Sequence, residues 1–208
     1  EDTGDAKDAV LDGRLTADST EQERYELLKN ETLTLASPNE SKLGDIDLAD
    51  FNTRKKSAVM TGMKALAKKL GIMNVDLQNS RIKIPFQFSN KGLTTSLHHQ
   101  LEYGGSYQDY AKMMTCFNEL IRNAVPIEVH RDKKAGTSKE NGQLKQIYVL
   151  LSGYAESETV TPVQFEVKEF TDNQNRLYLA VTLSKKESEV LENSPSRKTD
   201  GSHSLFSD

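Results

Sequence analysis

Four runs in the C-terminal half of the chain alternate or concentrate apolar residues, and this pattern limits the fold more than any other feature. PIEVH (126–130) sets Ile127 and Val129 against Glu128 and His130. VQFEVKEF (163–170) sets Val163, Phe165 and Val167 against Gln164, Glu166 and Lys168. RLYLAVTL (176–183) gathers Leu177, Leu179, Val181 and Leu183 on one side, with Tyr178 and Thr182 on the other. Successive side chains of a strand point to opposite faces, so each run reads as a strand with one buried and one polar face. KQIYVLLSGY (145–154) is more continuously apolar, as a central strand is. TDNQN (171–175) reads as a hairpin loop, and RDKKAGTSKENGQ (131–143) as a long polar loop.

A sheet with one wet face needs an apolar partner for the other. Two helices supply it. Val59, Met63, Leu66 and Leu70 recur on one face of a helix over 52–70, which Gly71 stops. Ser106 and Asp109 have capping-box spacing at the start of a second helix, over 106–124. Its buried stripe is Tyr107, Tyr110, Met114, Phe117 and Ile121, with Cys116 as a small buried filler. RIKIPFQF (81–88) alternates as a further strand, and Pro85 puts it at an edge or a bulge. The expected fold is α+β: N-terminal helices packed on one face of a curved, mainly antiparallel sheet of four to five strands.

The ends read differently. Residues 1–19 are acidic and aperiodic, a disordered lead-in; 20–50 form a short helical and extended segment; 51–192 hold the α+β domain; 193–208 form a disordered tail. Mean hydropathy of −0.64 agrees with polar ends around a core. A single cysteine cannot form a disulfide within one chain, which implies a reducing compartment. No apolar run approaches the roughly 18 residues of a membrane helix. A soluble cytoplasmic protein with no membrane partner is expected.

The net charge of −4 is unevenly spread: residues 1–50 carry −9, 51–145 carry +9 and 146–208 carry −4. A basic middle suits phosphates, although solvated helix faces would look the same. Cys-x-x-Cys, His-Glu-x-x-His, GxxxxGK[ST] and GxGxxG are all missing, so no metal or cofactor site is expected. The junction FQFSNKGLTTSLHHQ (86–100) gathers a lysine, several hydroxyls and two imidazoles after a strand. Either His98 or His99 has the chemistry of a general acid or base. RNA carries its own nucleophile, so its cleavage needs only a base, an acid and cations around the phosphate.

In combination, FSNKGLTTSLHHQ, YAKMMTCFNELIRNAVPIEVHRDKKAGT, YVLLSGY, PVQFEVKEF and LYLAVTLSK resemble a large polyvalent-protein-associated domain of phages and conjugative elements. Such domains are grouped with the barnase–EndoU–colicin–RelE nuclease fold. The resemblance covers roughly 53–190. It implies a barnase-like sheet and metal-independent cleavage of RNA, or a catalytically inactive module that binds nucleic acid or protein. It favours His98 over His99 as the working imidazole, with His130 complementary and Lys91 and Lys168 on the phosphate. Ser89, Ser96, Tyr148, Glu128 and Lys133 are the implied substrate-binding residues. RNA and an immunity or host protein are the implied partners.

Overall fold

The computed structural model describes residues 33–130, 144–172, 174–183 and 198–199. Its centre is a curled sheet of six strands, larger than the four to five expected. In spatial order these are β2 (Asp76–Gln78), β3 (Pro85–Phe88), β7 (Arg176–Thr182), β6 (Thr159–Phe170), β5 (Leu144–Glu156) and β4 (Val125–His130). From β4 to β7 the strands form an antiparallel meander, as their alternation predicts. β3 joins β7 in parallel, and β2 pairs antiparallel with β3. A separate parallel pair joins β1 (Thr34–Leu35) to β8 (Lys198–Thr199).

The helices are α1 (Asp50–Thr53), α2 (Lys56–Lys69), α3 (Asn90–His99), α4 (Tyr107–Thr115) and α5 (Phe117–Asn123). The expected helix over 52–70 is α1 followed by α2, with Val59, Met63 and Leu66 buried and Gly71 at φ +67° closing it. The expected helix over 106–124 breaks at Cys116, whose φ of −123° is not helical. Its capping box is present in both directions between Ser106 and Asp109. The apolar stripe survives the break: Phe117 stacks on Phe88 at 5.0 Å and meets Phe165 edge-on at 5.9 Å. The expected strand over 81–88 shortens to four residues because Lys83, at φ +50°, interrupts it. Buried Asn79 anchors that turn. Its Nδ2 donates to the Ile121 and Ala124 carbonyls, and its Oδ1 accepts from the amides of Arg81 and Ile82.

β3 accompanies β7 only at Gln87–Arg176 and Phe88–Leu177. Beyond that point, side chains of α3 and its C-terminal cap seal the β7 edge. Ser96 Oγ accepts from Ala180 N at 2.9 Å and donates to Gly92 O at 2.7 Å. Gln100 Oε1 accepts from Thr182 N at 3.0 Å, while its Nε2 donates to Thr182 Oγ1. The approach is close enough that a Cβ on Gly92 would stand 2.4 Å from the Leu177 carbonyl. The opposite flank is closed similarly. β4 pairs with β5 as far as Leu151, and Ala36 then bonds to Gly153 and Ala155.

A bulge corrects the parity read from RLYLAVTL. Leu177 pairs with Val167 and Leu179 with Glu166, so Tyr178 is an extra residue between them. Leu177, Ala180 and Thr182 consequently share the helix-covered face with Val167, Phe165 and Val163. Thr182 is fully buried instead of standing on the polar face.

Removing the Gln100 side chain leaves the buried Thr182 amide without its acceptor. The substitution Gln100→Leu is expected to cost about 3 kcal/mol of stability, at roughly 1–3 kcal/mol for each buried group left unsatisfied. A urea titration with an unchanged slope and a lower midpoint measures it.

Candidate functional site

The junction after β3 is a helix start. Ser89 caps α3, its Oγ accepting from Gly92 N at 3.2 Å. Facing it is the β6–β7 hairpin, which Asn175 pins. Its Oδ1 accepts from Phe170 N at 3.0 Å, and its Nδ2 donates to Pro85 O at 3.2 Å. Between the first turn of α3 and this hairpin lies a cavity of about 390 Å³. Its working lining is Ser89, Lys91, Thr95, Lys168, Arg176 and Tyr178, with Phe170 and Asp172 at the hairpin.

Three features make the cavity attractive to anions. Among the described residues, Lys91, Lys168 and Arg176 line it with a single carboxylate, Asp172. Lys168 and Arg176 are direct cross-strand partners, so their side chains leave the sheet on the same face. The positive end of the α3 macrodipole adds to the same field. Aromatic rings fix two of the cations: Lys168 Nζ stands 3.7 Å from the centre of the Tyr178 ring, and the Arg176 guanidinium 5.8 Å from that of Phe170. Such contacts hold a cation in place. The bulge brings Tyr178 to Lys168.

Of the sequence-derived site residues, Ser89, Lys91 and Lys168 meet here. Arg176 was missed. Its signal is the register of the β6–β7 hairpin, which sets it opposite Lys168 and which alternation alone does not give.

The others lie elsewhere. His98 is exposed in the last turn of α3, about 10 Å along the axis from Lys91 at 1.5 Å per residue, and does not line the cavity. His130 pairs through its backbone with Ile147 on β4. β4 is three strand spacings from β7, about 14 Å, but two from β6, where Lys168 pairs with the same Ile147. Glu128 is half-buried on the same distant strand, opposite Val149. Lys133 falls outside the described residues. Ser96 and Tyr148, read as substrate-positioning groups, are interior instead. Ser96 holds the β7 edge, and the Tyr148 hydroxyl donates to Glu169 Oε2 at 2.8 Å while accepting from Gln146 Nε2. Burial, reinforced by Glu169, pushes the Tyr148 hydroxyl well above its ordinary range. His99 Nδ1 lies 2.5 Å from Glu102 Oε2, and this hydrogen bond holds the Glu102 carboxyl below its usual range. Among the described residues no cluster of three or more His, Cys, Asp or Glu is arranged to hold a metal ion.

A second cavity, of about 350 Å³, adjoins Cys116 with Lys42, Thr115 and Glu119. Burial, helped by the Glu119 charge, pushes the Cys116 thiol up to about 12, so it is a poor nucleophile.

No family model matches the chain, and neither curated proteins nor solved structures give a match.

The thiol gives a pH prediction. The folded state holds Cys116 protonated up to about 12, against an ordinary value of 9.0. The unfolded chain therefore releases this proton first as pH rises. The Cys116 contribution to stability is complete below pH 9.0 and is lost progressively as pH approaches about 12. Buried Tyr148 and Tyr154, both raised, act in the same direction. Urea midpoints measured at rising alkaline pH should fall, and fall less steeply in Cys116→Ala.

Proposed function

We propose that this domain binds single-stranded RNA, holding phosphates of the chain between α3 and the β6–β7 hairpin. The convergence of Lys91, Lys168 and Arg176 with the rings of Tyr178 and Phe170 in one cavity supports this reading most strongly. Cations neutralise phosphates, and aromatic faces accept stacked bases without regard to sequence. The basic stretch 51–145 supplies a favourable field although the whole chain is acidic. The resemblance to domains of polyvalent proteins is compatible with a nucleic-acid partner.

Binding is preferred to cleavage because the cations line the cavity and His98 does not. His98 lies at the far end of α3 from Lys91.

Fluorescence anisotropy with a labelled single-stranded RNA of about 12 nucleotides, in EDTA, tests the proposal. Binding on the order of micromolar is expected, with a log–log salt slope near −2 for three phosphate contacts at roughly −0.7 each. Lys168→Ala should weaken binding about tenfold and flatten the slope by roughly 0.7. An unchanged slope in that variant, or no binding by the unmodified protein, overturns the reading. Metal-independent cleavage that disappears in folded His98→Ala would replace it with a ribonuclease.

A further inference from the structure

Another cavity, of about 380 Å³, shares a wall with the cationic one. Asp76, Pro85, Gln87, Gln174, Asn175 and Arg176 line it. Gln174 and Arg176 line both cavities, so these two side chains form the partition. The Arg176 guanidinium donates to Gln174 Oε1 at 3.4 Å.

The register explains how the two chambers are joined. Asp76 pairs with Gln87, Gln87 with Arg176, and Arg176 with Lys168. Direct partners on neighbouring strands project to the same face, so these four side chains form one track. At about 4.8 Å per strand it runs about 14 Å across the sheet. Charge changes sign along it, from Lys168 and Arg176 through the neutral Gln87 to Asp76. A ligand matching this track is anionic at one end and neutral with hydrogen-bonding edges at the other, as a nucleotide step is.

The far chamber has a defined polarity. Asp76 Oδ1 accepts from Gln87 Nε2 at 3.0 Å. An ionised carboxylate only accepts, so the Gln87 amide must turn its nitrogen toward Asp76. Its Oε1 then has a fixed direction beside an N–H donor. One acceptor next to one donor complements the N6 amino group and N7 of adenine, an edge that unpaired RNA leaves open.

We infer that the two chambers together bind one dinucleotide step, with its linking phosphate on Arg176 and an adenine read by Gln87. This rests on the RNA reading above and adds base selectivity to it. Asp76 is a positioning residue, acting through the Gln87 amide.

Anisotropy with a labelled uridine hexamer, and with the same hexamer carrying one central adenosine, tests this inference. The unmodified protein should bind the adenosine-containing RNA about tenfold more tightly, the discrimination expected of one bidentate contact. Both side chains are exposed, so Gln87→Met and Asp76→Asn leave the core intact. Each should remove most of that preference. Lys168→Ala should weaken both RNAs equally and keep the preference. Equal binding of the two RNAs by the unmodified protein, or a preference that survives either substitution, overturns the adenine site and leaves the phosphate cleft standing. Failure to bind either RNA overturns both.

Discussion

The fit of α3 along the open edge of β7 decides where everything else in this domain sits. A strand edge with unpaired amides and carbonyls invites pairing with other chains and must be covered. Here the cover is a helix, which satisfies the edge with the side chains of Ser96 and Gln100 in place of a backbone ladder. Such sealing demands contact closer than a Cβ allows, and Gly92 provides it. Once α3 is held against β7, its first turn must lie beside the β6–β7 hairpin. Lys91 is thereby brought to the cavity that Lys168 and Arg176 also line.

The same arrangement separates structural polar groups from those facing the cavity. Within one turn and a half of α3, Ser96 faces the β7 backbone while Lys91 and Thr95 face the cavity. On β7, alternation puts Arg176 at the surface beside Leu177 in the core, and the bulge at Tyr178 returns Ala180 to the core face. An acidic protein thus concentrates positive charge locally through strand register and helix placement, which overall charge does not reveal.

Much of the fold was legible in the chain. Alternation in VQFEVKEF and the stripe from Val59 to Leu66 identify which faces are buried, because burial is what those periods encode. The capping box at Ser106 is equally local and equally readable. β2 was not readable, since three residues are too few to show a period. The break at Cys116 was hidden because the apolar stripe continues through it. The site was legible only in part. Ser89, Lys91 and Lys168 carry chemistry that a sequence displays, whereas Arg176 joins them through the register of the β6–β7 hairpin. Ser96 and Tyr148 looked functional because a hydroxyl reads the same whether it meets solvent or an interior carbonyl.

Strand order also has a temporal side. The last strand of the large sheet, β7, is inserted between β3, made early, and β6, made immediately before it. On a ribosome the slot for β7 is therefore half built long before its occupant emerges. Until then α3 has no edge to cover. Contacts so distant along the chain form slowly, because the loop between them must close before any of them is rewarded. Lys91 is synthesised well ahead of Lys168 and Arg176, so a chain still growing carries the lysine without the cleft. The cleft lined by Lys91, Lys168 and Arg176 is therefore completed only once β7 has been made.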